Sequence, residues 1–155
     1  MIRHLVSGAL GALAFGIAMC AATTANAEQW VDYTPETGVW DINAIDVDPN
    51  HIDDYLVGLK RSQAPFFEIL KKRGMVDAYK FVVRNGYAKN SPSVLIMVHY
   101  TSLAALTPDK ARDQAIDKEV RAGFSKEQGD TAVAGYEKYR TFIDNGQWTE
   151  VTMTK

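Results

Sequence analysis

His99, within the run Ser93-Val94-Leu95-Ile96-Met97-Val98-His99-Tyr100-Thr101, is the side chain of this sequence best suited to chemistry. An imidazole on a buried strand can face a pocket, exchange a proton near neutral pH, or ligate a haem iron or a metal. A metal site needs several ligands at defined spacing, and no His, Cys or carboxylate stands at such a spacing from His99. Alone on a strand, a histidine more often serves as a hydrogen-bonded structural residue. His51 falls beside the Pro49 turn and is read as solvated. Trp40 and Asn43 add an indole and an amide on an earlier strand, so His99, Asn43 and Trp40 are the catalytic candidates. Strand alternation, however, sends Asn43 to the face opposite Trp40. The set that shares one face is Trp40, Ile42, Leu95, Met97 and His99, and these are the expected lining of a ligand pocket. Tyr79, Arg84 and Trp148 also lie on proposed strands, where packing in a core or seam explains aromatic residues as well as a pocket does.

Other motifs carry less. Asp46-Val47-Asp48-Pro49-Asn50 has the D-x-D-x-N start of a calcium loop, but His51 replaces the required glycine and Val57 the required glutamate. Those acids fit a strand end and helix caps, and no metal is expected. No glycine-rich phosphate loop and no G-x-S-x-G elbow is present. No cofactor is called for, and haem is the one that His99 could ligate.

The first 27 residues have the layout of a secretory signal peptide. Met1-Ile2-Arg3-His4 is a basic start, Leu5 to Met19 an apolar run too short to favour a transmembrane helix, and Ala25-Asn26-Ala27 a small-x-small cleavage signal. Cleavage after Ala27 predicts an exported chain, periplasmic or extracellular, beginning at Glu28. The alternatives are an uncleaved anchor and a lipoprotein processed at Cys20, although Met19 is larger than the residue such sites prefer. Cys20 is the only cysteine, so the cleaved chain has no thiol, no disulfide and no cysteine nucleophile. Charges are interspersed, 17 basic against 19 acidic residues, and Lys71-Lys72-Arg73 is the one basic cluster. That cluster suits a helix end better than a nucleic-acid surface. No nucleic-acid partner and no membrane contact after cleavage are expected.

The pattern after residue 27 predicts an extended lead-in over 28–38 and one α+β domain over 39–155. Trp40–Val47 reads as a strand. Asp48-Pro49-Asn50 stops it, and Ile52, Tyr55, Leu56, Leu59, Phe66, Ile69 and Leu70 give a helical stripe that Pro65 should kink and Gly74 ends. Val76–Arg84 and Ser93–Thr101 read as a hairpin of two strands. Thr107-Pro108-Asp109 predicts a helix with Thr107 as its cap, interrupted over Gly123–Gly129. A second helical piece is expected from Asp130 through Tyr136, Tyr139 and Ile143, closed by Asn145-Gly146. Gln147–Thr154 is the predicted last strand. The order is β-α-β-β-α-β, the ferredoxin-like pattern: a four-stranded antiparallel sheet, first and third strands central, with helices on one face.

That order leaves the other face bare. Val94, Ile96 and Val98 can meet the helices, but Leu95 and Met97, with Trp40 and Ile42, then point away from them. Burying each of these side chains is worth roughly 1.5–3 kcal/mol, which favours cover by a second copy of the chain. The competing reading folds the lead-in or the 123–129 loop over that face in a monomer.

The segments Ile45-x-Val47-x-Pro49, Asp54-Tyr55, the helix carrying Pro65, and Lys72-Arg73-Gly74 before Val76 resemble the dimeric α/β-barrel superfamily, especially small exported bacterial members without assigned activity. The resemblance implies a ferredoxin-like protomer and a sheet-to-sheet homodimer enclosing a pocket. It covers antibiotic-biosynthesis monooxygenases, haem-degrading enzymes and stress-response proteins, so it does not choose a reaction. The expected function is an exported small-molecule-binding or stress-related accessory protein, with a small apolar or aromatic ligand. A cofactor-independent or haem-dependent monooxygenase and a structural partner protein are the alternatives.

Overall fold

The computed structural model describes residues 26–86 and 88–155. The expected signal peptide, residues 1–27, lies outside the described residues except for Asn26 and Ala27. Four strands form the main sheet: β2 (Val39–Val47), β3 (Val76–Val83), β4 (Val94–Tyr100) and β5 (Arg140–Trp148). Their order is β3-β4-β2-β5 and every pairing is antiparallel, so the first and third strands of the predicted pattern are central. Between them run α1 (Ile52–Lys72), a short α2 (Leu103–Leu106), α3 (Lys110–Gly123) and α4 (Lys126–Tyr136). This is the ferredoxin-like α+β fold, with the second crossover helix broken in two.

The core lies between one sheet face and the helices. Ile45, Val47, Val76, Val94, Ile96 and Val98 meet Tyr55, Leu59, Phe67 and Leu70 of α1, Ile116 of α3 and Tyr136 of α4. Alternation along β4 is strict: Val94, Ile96 and Val98 are buried, while Leu95, Met97 and His99 are only partly covered. Phe67, rather than Phe66, is the buried phenylalanine of α1, and its ring packs against Tyr79 and Phe81 of β3. α1 runs through Pro65 as one continuous helix. It ends where Gly74 takes φ +68°.

The second half departs from expectation in three places. Asp109, not Thr107, caps α3: its carboxylate accepts from the Arg112 N–H at 2.8 Å, and its own N–H donates to Asp113 at 3.0 Å. A charged acceptor closes the cap more strongly than a hydroxyl, and Thr107 instead ends α2 in an extended conformation. α4 begins at Lys126 rather than Asp130, because Ser125 and Gln128 form a reciprocal capping box.

The largest correction concerns residues 140–148, expected to be helix in part. Ile143, Asn145 and Gly146 lie inside β5, paired to β2 from Trp40↔Trp148 to Val47↔Arg140. The predicted final strand is thereby divided. Trp148 ends β5, and Val151–Met153 forms β6, which pairs with β1 (Tyr33–Pro35) in a separate two-stranded ribbon. The lead-in is therefore one arm of that ribbon.

Candidate functional site

Cross-strand register makes the face away from the helices a grid. One row runs Trp148, Trp40, His99, Ala78; the next Gly146, Ile42, Met97, Lys80; the third Asp144, Ala44, Leu95, Val82. Trp40, Ile42, Leu95, Met97 and His99 thus share one surface, each partly exposed. Asn43 does not join them. It points to the helix side, where its Oδ1 accepts from the Asn145 amide at 2.6 Å and its own amide lies 3.5 Å from Asp41. The separation of Asn43 from Trp40 expected from alternation is present, and no Asn-Trp-His constellation forms.

His99 is held on three sides. A bulge in β3 between Val76 and Ala78 leaves Asp77 unpaired in the ladder and turns its carboxylate toward His99, whose Nδ1 donates to Oδ1 at 2.6 Å. The Trp40 ring lies against the imidazole, with centroids 4.8 Å apart. Gly38, at φ +89°, abuts the far edge of the ring: a Cβ built there would stand 2.8 Å from both Cε1 and Nε2. Any ligand to Nε2 would have to share space with the Gly38 turn, so His99 fits poorly as an axial ligand for haem in this geometry. The side chain is 15% exposed. Its contacts make it an anchor between the β3 bulge, the Trp40 indole and the entry into β2.

Around this anchor lie the groups that give the face its polarity. Lys80 Nζ sits over the Trp40 ring, 5.2 Å from its centroid. The Trp40 indole N–H donates to Glu150 at 3.3 Å, tying the face to the β1–β6 ribbon. Trp148 lies over Gly146, where a Cβ would stand 3.0 Å from the indole nitrogen. The ribbon itself is fastened by Glu36 N–H to Glu150 O at 2.8 Å and Thr154 N–H to Asp32 O at 2.9 Å. An apolar platform with one cation and one indole handle can receive a flat apolar or aromatic group. It offers no nucleophile paired with a base.

Two further places have polar content. On the helix side, Asp41 and Asn43 interrupt the buried parity of Val39, Ile45 and Val47. Burial holds the Asp41 carboxyl above its usual range, against the lowering effect of Asn43. Burial, then the Asp41 charge, raises the Tyr100 hydroxyl. A groove of about 910 Å³ runs between α1 and α4 and includes Asp53, Asp54, Arg61, Glu127 and Tyr139. There His51 donates to Asp54 at 2.9 Å and stacks on Tyr139 at 3.7 Å, so His51 is not simply solvated.

Sequence reasoning missed Asp77 as the partner of His99, Glu150 as the partner of Trp40, and Lys80 as a platform residue. Asp77 is visible only through the bulge. The pairing of Asp41 with Asn43 was missed as well, although two breaks in the core-facing parity of one strand mark it.

Strand order and register define the class as ferredoxin-like α+β. No family model matches the sequence, and no curated protein matches it. Among solved structures, the chain is similar to a dimeric ferredoxin-like protein from an uncultured marine organism, at 11% identity and TM-score 0.45, covering 77% of this chain and 91% of that one. It is also similar to a NIPSNAP-family protein of unknown function from Agrobacterium tumefaciens, at 10% identity and TM-score 0.43, covering 79% and 95%. A conserved protein from Methanosarcina mazei aligns at 12% identity and TM-score 0.36, over 77% and 94%.

Proposed function

We propose that this protein is exported and acts as a homodimer, joined through the bare sheet face, that holds a small apolar or aromatic molecule between the two sheets beside Trp40 and His99. The observation that carries this reading is the face itself. Trp40, Ile42, Leu95 and Met97 stay partly exposed on the side that no helix covers. The segment around Phe124, one of the two that could have screened them, lines the α1–α4 groove instead. The other, the lead-in, is taken up in the ribbon with β6. Apolar side chains left in water on this scale favour association. Export is supported by the basic start, apolar run and Ala25-Asn26-Ala27 of the leader. A binding role suits the platform better than catalysis, since Asn43 faces away and both edges of the His99 ring are engaged.

The test is sedimentation equilibrium at micromolar concentration, with 1-naphthol titrated against tryptophan fluorescence. A dimer whose fluorescence is saturably quenched, with both properties lost in Leu95→Asp, is the expected result. A wild-type monomer refutes the proposal, as does a dimer whose fluorescence naphthol leaves unchanged.

A further inference from the structure

The β1–β6 ribbon is amphipathic. Its register pairs Tyr33 with Met153, Thr34 with Thr152 and Pro35 with Val151. Alternation therefore gathers Tyr33, Pro35, Val151 and Met153 on one side. Thr34 and Thr152 take the other, with Asp32, Glu36 and Glu150 in step just beyond the strand ends. Glu150 accepts from the Trp40 indole N–H and Glu36 from the Thr152 hydroxyl, so the polar side is the one fastened to the domain. On the apolar side Val151 is 47% and Met153 68% exposed. Sequence alone pointed to no membrane contact after cleavage, because each strand is only three residues long and the apolar face exists only through their pairing.

Trp30 adds a second observation. It holds φ +71°, a region that costs a bulky side chain and suits glycine or asparagine. The turn is closed by its N–H on the Tyr33 carbonyl at 2.7 Å and by the Asp32 N–H on the Glu28 carbonyl at 2.9 Å. Yet the indole is 67% exposed and stands outside the core, so the core gains nothing from this strained turn. Strain that presents an exposed aromatic points to a contact outside the chain.

Resting on the export reading above, we propose that the ribbon is a membrane foot, its apolar side and the Trp30 indole resting on the surface of a zwitterionic bilayer. The apolar side of two three-residue strands outlines roughly 100 Å². That is well below the ~800 Å² that a stable protein interface takes from each partner. A lipid surface sets no such minimum, and indoles favour its polar–apolar boundary. The ribbon is also the part of the fold next to the leader. Glu28, the expected first residue of the exported chain, donates its N–H to Asp32 at 2.7 Å, so the fold begins beside the bilayer that the leader has crossed. The flanking acids Asp32, Glu36 and Glu150 favour a zwitterionic surface over an anionic one.

The test is co-sedimentation of the chain from Glu28 to Lys155, which carries every helix and strand of the fold, with phosphatidylcholine vesicles. Circular dichroism confirms the fold of each variant. Saturable binding is expected, with tryptophan fluorescence quenched by bromine-labelled lipid. Val151→Asp and Met153→Asp should each weaken binding about tenfold, and Trp30→Ser should remove most of the quenching. A wild-type chain that stays in solution overturns the proposal, as do ribbon variants that bind like wild type. Binding that requires phosphatidylglycerol, or that is lost in Leu95→Asp but kept in Met153→Asp, overturns it too. A chain that ignores vesicles but self-associates in a way that Met153→Asp abolishes assigns the face to a second copy instead. Recovery of the protein in the cytoplasm with residues 1–27 intact overturns the export reading alone, and the vesicle result still decides the foot.

Discussion

Replacing Gly38 by alanine should cost more than any ordinary glycine substitution, for two separable reasons. Gly38 has φ +89°, a region that an L side chain enters at a cost of about 1–2 kcal/mol. A Cβ there would also stand 2.5 Å from the Tyr100 carbonyl oxygen and 2.8 Å from the edge of the His99 ring. The carbonyl belongs to β4, a central strand, and His99 is clamped by Asp77, so neither can withdraw without loss. Overpacking of this kind adds about 1–3 kcal/mol. Gly74→Ala is the control: its φ is +68°, and nothing lies within 4 Å of the added methyl. Urea unfolding should therefore show Gly74→Ala destabilised by about 1–2 kcal/mol and Gly38→Ala by about 2–5 kcal/mol. The Gly38 variant should also show altered tryptophan fluorescence, because Trp40 rests on His99. Equal losses in the two variants would refute the close approach of Gly38 to His99 and, with it, the anchoring of the ribbon.

Gly58→Ala lies in the interior of α1, where helix propensity favours alanine by about 1 kcal/mol. The added methyl would press on the Tyr136 ring, 2.7 Å from Cγ, so a net loss is expected in urea unfolding, and a gain would show that α1 and α4 do not pack as described. Asp41 is raised by burial, so its ionisation opposes folding. Its contribution to stability falls as pH rises from the unfolded value through the folded one, and Asp41→Asn should flatten that slope and raise the melting temperature at pH 7. An unchanged pH profile of melting would rule this out.

The first half of the chain was legible because local signals agree there. β2, α1, β3 and β4 begin and end within a few residues of expectation, since turn residues, periodicity and caps all point one way. The Asp77–His99 contact depends on an extra residue in the ladder, which alternation does not reveal. Residues 136–146 misled for a different reason. Tyr136, Tyr139 and Ile143 repeat at helical spacing, yet the chain leaves the helix at Tyr136 and pairs with β2. A second bulge, where the pairing shifts between Ala44 and Ile45, disguises the strand's own alternation.

By itself the sequence determined the element order, the two-sided apolar character of β4, the separation of Asn43 from Trp40, and the expectation of a leader. Each of these follows from side-chain type and short-range period. Only the tertiary structure decided that residues 140–148 are an edge strand, that Tyr33–Pro35 and Val151–Met153 meet in a ribbon beside the bare face, and that Asp77, Gly38 and Glu150 fasten His99 and Trp40. Those facts depend on hydrogen bonds and contacts between residues far apart in the chain, 110 positions in the bond from Trp40 to Glu150, and no local pattern encodes such a partner.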